Sequence, residues 1–327
     1  MAISKAVEKP VKLMWTRDDD FKYDWFRAPM ALRIQGGVDA QGQLIAWSHR
    51  GASISMTKSL NPAAELKDGI DWYNLWGLWM GPTEPLQWNA KIQYEIPNFH
   101  IEFNLSDLPT RTCPWRSVVV AQHAFAIESF MDELAQAAGK DPLQFRLQSL
   151  KNNKRASRVL ETVAEKVGWG KPVPQGQGRG IALAACFGTW VAQVVDLSVN
   201  KNTGEIKVHK VYVAVDCGPV INPGTLVEQI ESAVIIGLST ALKEQVKFAK
   251  GGVATSNFDD YDIIRMSEVP EIEVHMVKST DKIGGIGEPG VTPVAGAVAN
   301  AFFNATGVRV RRIPLTPKFV QEALKKA

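Results

Sequence analysis

The chain has 327 residues, more than one ordinary core requires, so two packed units are expected. With 45% hydrophobic and 22% charged residues it has the composition of a folded globular protein, which excludes a disordered chain. A net charge of +3 is too small to suggest a nucleic-acid or membrane-surface binder. No run of about 18 apolar residues is present, which argues against membrane insertion by this chain.

Residues 2–7 read as the end of a helix, Lys9-Pro10 as a stop and residues 11–16 as a strand, so the chain reads as starting inside a domain. The first twenty residues lack the apolar core of a secretory signal. Asp18 to Asp20 read as a solvated strand end. Residues 32–38 and 44–50 flank Asp39-Ala40-Gln41-Gly42, which predicts a hairpin. Four of the ten tryptophans fall within residues 72–88, beside Tyr73. That cluster fits either the lining of a pocket or interface, or a satellite core under a long loop.

From Gln122 the period becomes helical: Phe125, Ile127, Phe130, Met131, Leu134, Ala135 and Ala138 recur, and Gly139 is the stop. Asp141 caps a second helix with Pro142 at its first position, running to about residue 150. The polar stretch 151–155 marks a boundary between units 1–154 and 155–327. Ser157 opens another helix that ends at Gly168, and residues 171–179 form a linker. Residues 181–199 and 205–216 then surround Asn200-Lys201-Asn202-Thr203-Gly204 as a long β pair. A shift of apolar parity between Val208 and Val211 predicts a bulge. An apolar helix over residues 225–242 carries few charges and is expected to be buried nearly all round. A strand at 271–277 leads into Gly284-Gly285-Ile286-Gly287-Glu288-Pro289-Gly290. Thr292-Pro293 caps a small-residue helix ending at Gly307, and Thr316-Pro317 caps the last one. Strands and helices without strict alternation make the class α+β.

Cys113, Cys186 and Cys217 are widely spaced and form no CxxC pair, which argues against a disulfide scaffold, a structural zinc site or an iron–sulfur cluster. The five histidines show no metal-ligand spacing. Glu288 is the most informative acid. Glycines before it permit close approach to a ligand, and Pro289 stiffens its backbone; it reads as a general base or as a solvated turn glutamate. Arg116 is placed to fork onto an anion or to form a surface ion pair. Gln229, with Glu231, lies on the apolar helix, where a buried amide finds backbone or a cofactor as its partner.

Several segments together resemble one family. The loop 284–290, followed by Ala297-Val298-Ala299-Asn300-Ala301 and Ala305-Thr306-Gly307, is similar to the C-terminal part of the molybdopterin-binding subunit of the xanthine oxidase family. So are Gln229 with residues 231–238, residues 256–261, and Pro114-Trp115-Arg116-Ser117 leading into residues 124–130. The start Trp15-Thr16-Arg17-Asp18-Asp19-Asp20 and the segment Phe187 to Gln193 look closest to the isoquinoline 1-oxidoreductase β-subunit and aldehyde dehydrogenase branch. The resemblance implies a molybdenum hydroxylase that oxidises aldehydes or hydroxylates N-heteroaromatic rings with oxygen from water, Glu288 being the base. It implies cofactor contacts at Gln229, Arg116, Gly287 and Gly285, and no direct protein ligand to molybdenum. It further implies molybdopterin cytosine dinucleotide shared with a chain carrying the N-terminal half, and 2Fe-2S clusters on a separate subunit. Localisation is left open between cytoplasm and, should a partner carry an export signal, periplasm.

This chain departs from the family pattern at Ser232, where relatives carry glycine, at Ile236, and at Val118 to Val120, where relatives are glycine-rich. Valines keep a backbone farther from a ligand than glycines do. The family's GGGFG-type loop and GQG cofactor segment are not recognised here, so the chain is expected to be a separately encoded C-terminal half or an excised piece. A non-catalytic structural or assembly subunit is the alternative that these departures suggest.

Overall fold

The computed structural model describes residues 1–71, 73–74, 92–107 and 110–326. Apart from Tyr73, the aromatic residues of the 72–88 cluster lie outside the described residues, as do Leu108 and Pro109.

Helix α1 (Ala2–Val7) is present, but residues 11–16 form no strand. Asp18 to Asp20 occupy the first turn of α2 (Arg17–Tyr23), where Thr16 and Asp19 form a reciprocal capping box. The acids there are explained by the positive end of a helix dipole. Strands β1 (Met30–Val38) and β2 (Leu44–Ser53) form the expected hairpin, its turn held by Asp39 Oδ1 accepting from the Gln41 and Gln43 amides. A short helix, α3 (Met56–Leu60), follows, and β3 (Asn98–Leu105) joins β2 in parallel.

Helix α4 (Val120–Ala137) packs beneath this sheet, and α5 (Pro142–Gln148) is capped by Asp141 as expected. Helix α6 (Lys154–Val167) begins earlier than Ser157, because the Asn153 side chain accepts from the Ala156 amide; Gly168 closes it in the left-handed conformation. The segment 181–199 is two strands, not one. Phe187 (φ 52°) and Gly188 (φ 76°) make a tight turn between β4 (Gln177–Cys186) and β5 (Thr189–Val199). Both strands are buried on both faces, so their apolar runs lack the alternation that would separate them.

Strand β6 (Ile206–Asp216) pairs with β5, and His209 is the extra residue of the expected bulge between Lys210 and Val208. Helix α7 (Pro223–Leu242) follows, then the two-residue strands β7 (Phe248–Ala249) and β8 (Gly252–Val253). Strand β9 (Glu271–Met276) completes the sheet order β4-β5-β6-β9, parallel to β6. Helices α8 (Val294–Thr306) and α9 (Pro317–Lys325) end the α+β fold. Thr316 caps α9, but Thr292 does not cap α8: its hydroxyl donates to Pro289 O in a 3-10 turn over residues 289–291.

Helix α7 is long and apolar enough, by length and composition, to cross a bilayer. In the fold only about half of it is buried, so the expectation of burial nearly all round is corrected. Val227, Ile235 and Ile236 stay partly exposed, Val227 and Ile236 on opposite sides of the helix.

One apolar cluster joins Trp47, Ile127, Leu160 and Leu183 across residue 154; a second joins Val191, Val213, Ile230, Val298 and Val320 on the other face of the four-stranded sheet. Between elements sits a buried polar hub. Glu128 Oε2 accepts from Arg146 Nε and the Leu183 amide, and its Oε1 from Gln93 and Tyr94. The tripeptide Gly176-Gln177-Gly178 is a GQG sequence after all, but it opens β4. A side chain at Gly178 would overlap Ala301 O of α8, so this glycine serves helix–strand packing.

Candidate active site

The loop that carries Glu288 is tied to the ends of three strands. The Gly284 amide donates to Cys217 O just past β6, and the Gly285 amide donates to Phe187 O at the β4–β5 turn. Thr189 Oγ1 donates to Gly285 O at 2.6 Å, and Gln193 Nε2 to Gly290 O at 2.8 Å. A Cβ at Gly284 would lie 2.5 Å from Thr189 Oγ1, and one at Gly290 would lie 2.7 Å from Ala233 Cβ of α7. These two glycines are required by packing. Gly287 is different: it is exposed, and a Cβ there would meet nothing within 4 Å.

Upstream, Asp216 is buried at the end of β6 and takes a two-point contact from Arg155 of α6, while the Gly218 amide donates to the same carboxylate. Burial alone would raise the Asp216 pKa; the Arg155 and Gly218 hydrogen bonds outweigh it and hold the group below its usual value. This anchor fixes the turn from which the glycine-rich loop hangs.

Arg116, Gln229, Gly287 and Glu288, far apart in sequence, converge. Arg116 Nε donates to Gly287 O at 2.6 Å, and its Nη2 donates to Gln229 Oε1 at 2.9 Å and Gln229 O at 3.3 Å. Its Nη1 donates to Ser232 Oγ at 3.0 Å. The Ser117 amide donates to Glu288 Oε2 at 2.8 Å, and Oε1 has no partner among the described residues. Burial lowers the Arg116 pKa, with the Glu288 charge opposing. Burial, and after it the Glu288 charge, pushes the Cys186 thiol well up. Gly285 lies at the anchored end of the loop, apart from the Arg116 bonds.

The valines after Ser117 do not hold the backbone in an ordinary conformation. Ser117 (φ 76°) and Val118 (φ 39°) both sit in the left-handed region that glycine occupies freely. Such a residue costs about 1–3 kcal/mol and persists only where its surroundings enforce it. Here Val118, Val119 and Val120 are buried, and the Val118 and Val120 amides donate to Trp115 O and Ser117 O.

Gln229 is half-buried, and its amide orientation is set by chemistry: an arginine can only donate, so the oxygen of Gln229 faces Arg116. Its NH2 group has no partner among the described residues. The Ser117 hydroxyl is fully buried and also unpartnered. Among the described residues no group of three or more His, Cys, Asp or Glu side chains is placed to hold a metal ion. The free NH2 of Gln229 and a glycine without a packing role suit a ligand that presents acceptor atoms. Sequence reasoning missed Ser117, whose contribution is a backbone N–H without a sequence signature, and saw Ser232 only as a departure from a motif. Glu231, on the same helix, makes none of these bonds.

Residues 118–270 match the molybdopterin cofactor-binding domain family. The match crosses residue 154. The chain is 34% identical over 325 residues to isoquinoline 1-oxidoreductase subunit beta of Brevundimonas diminuta, covering 98% of this chain and 40% of that protein. It is 33% identical over 347 residues to the membrane-bound aldehyde dehydrogenase [pyrroloquinoline-quinone] of Gluconacetobacter polyoxogenes, covering 98% of this chain and 44% of that one. The chain thus spans less than half the length of these relatives. In fold it is similar to quinoline 2-oxidoreductase from Pseudomonas putida 86, with a TM-score of 0.81, 12% identity, and coverage of 99% of this chain and 66% of the other.

Proposed function

We propose that this chain is part of a molybdenum hydroxylase subunit, that Glu288 is its base, and that its substrates are aldehydes or N-heteroaromatic rings. The observation that carries this reading is the convergence of Arg116, Gln229 and Gly287 around Glu288, in a chain containing a match to the cofactor-binding domain. The bound molybdenum–pterin group would supply two-electron oxidation with oxygen from water. The protein's own contribution is positional. Ser117 N–H holds Glu288 Oε2 and leaves Oε1 to accept a proton, while Pro289 keeps the carboxylate's backbone stiff. The free NH2 of Gln229 and the open side of Gly287 would hold the cofactor in its cytosine dinucleotide form, its remaining contacts coming from the part of the relatives' length that this chain does not span, on a partner chain or on the same protein. A 2Fe-2S subunit would take the electrons.

The test is native purification of the complex with metal and cofactor analysis, followed by Glu288→Gln. Removing a general base costs about 10²- to 10⁴-fold in turnover. The expected result is molybdenum retained and turnover lost by at least that lower factor. A Glu288→Gln complex as fast as wild type would refute the base. Molybdenum content unaffected by omitting this chain would favour a structural or assembly subunit, and a quinone in place of molybdenum would refute the cofactor.

A further inference from the structure

A guanidinium carries five N–H donors in one plane, and it grips a carboxylate through two parallel donors on a single edge. In Arg116 the edge formed by Nε and Nη2 is spent on Gly287 O and on Gln229. On the other edge Nη2 is again engaged, and one Nη1–H goes to Ser232 Oγ. One N–H remains, and no edge keeps two free.

Ser232 lies three residues after Gln229 on α7, so the two side chains share one helix face and together form an acceptor pair for the guanidinium. A glycine at 232 would leave both Nη1 donors without a partner. The bridge reaches from that face to the carbonyl immediately before Glu288, while the next residue, Ser117, holds the carboxylate itself. Residues 116 and 117 thus fix the base at two adjacent points.

We propose that Ser232 is a positioning residue that makes Arg116 an internal strut between α7 and the Glu288 loop, so that the site takes an uncharged aldehyde or ring and does not anchor a substrate carboxylate on Arg116. The substrate half rests on the reading of Glu288 as the base; the strut half does not.

Hydrogen exchange of the full chain tests the strut. In Ser232→Ala, exchange of the Ser117 amide, which donates to Glu288 Oε2, is expected to rise about three- to tenfold, the loss of one hydrogen bond of ordinary net strength, and to return toward wild type in Ser232→Thr. Ser117 amide exchange unchanged in Ser232→Ala overturns it. In the molybdenum-loaded complex, benzaldehyde and 4-carboxybenzaldehyde test the substrate class. Wild type is expected to favour the neutral aldehyde or to treat the two alike, and Ser232→Ala to lower kcat for both with little change in KM. A wild-type preference for the carboxylate analogue that Arg116→Lys removes overturns the neutral-substrate half. A loaded complex that turns over neither aldehyde nor a neutral N-heterocycle removes that half with the Glu288 reading, while the exchange result still decides the strut.

Discussion

Replacing Arg146 with methionine removes the cation from a fully buried hub. Arg146 donates to Glu128 Oε2 at 2.9 Å, Asp132 Oδ1 at 2.6 Å, Glu128 O at 2.9 Å and Pro142 O at 3.1 Å. Glu128 keeps Gln93, Tyr94 and the Leu183 amide but loses its buried counterion, and Asp132 keeps only Arg309 Nη2 at 3.8 Å. Breaking a buried pair in this way costs about 3–5 kcal/mol. Urea unfolding of wild type, Arg146→Met and the double variant Arg146→Met/Glu128→Gln measures it. The double variant should recover at least about 1 kcal/mol, because the amide removes an uncompensated charge. The single variant should also gain stability relative to wild type as pH falls, since burial raises the Glu128 and Asp132 pKa values and protonation then relieves the penalty. A loss below about 1 kcal/mol, or no recovery in the double variant, would refute the view that the hub depends on charge compensation.

The glycines of the loop should separate by role. Gly290→Ala, forced against Ala233 and Ile230, should lower stability by about 1–3 kcal/mol, whereas Gly287→Ala should stay within about 0.5 kcal/mol yet weaken cofactor retention in the complex; thermal melts and metal analysis read the two. His49 and His123 form a buried pair in which His123 Nε2–H donates to Asn74 O and Nδ1 accepts from His49. Burial lowers His49 to about 4 from its usual 6.5, so the unfolded chain binds more protons and stability falls as pH drops from about 6.5 to 4; that one residue accounts for roughly 3 kcal/mol, and His49→Gln should flatten the slope of urea midpoints. Burial raises the Cys186 and Cys217 thiols, so a thiol reagent should label half-exposed Cys113 first, and mass spectrometry of the native chain should find the other two unmodified until unfolding.

Elements with one buried face were legible in the sequence: α4, α5 and α9 declared themselves by period and cap, and the β1–β2 hairpin by its turn. The β4–β5 hairpin was not, because two-sided burial erases alternation and the Phe187-Gly188 turn is only two residues long. Helix α7 misled for the opposite reason: several of its apolar residues remained partly open. At the site, Glu288, Gln229 and Arg116 were singled out by residue type and local setting, each with a structural alternative, and the family resemblance chose between the two readings. Their convergence is a tertiary fact, since residues 116, 229 and 288 meet only when α7 and the loop fold against the strand ends. The left-handed backbone at Ser117 and Val118 was illegible because residues that disfavour that conformation occupy it.

The partial burial of α7 also bears on how the chain behaves in solution. Val227, Ile235 and Ile236 are each partly exposed, and a net charge of +3 over 327 residues offers little long-range repulsion against self-association. Light scattering of the chain on its own should therefore show particle size rising with concentration, and rising further in sulfate, which strengthens apolar association by exclusion from protein surfaces. Colloidal behaviour, and not thermodynamic stability, then sets the concentration at which this chain can be handled alone.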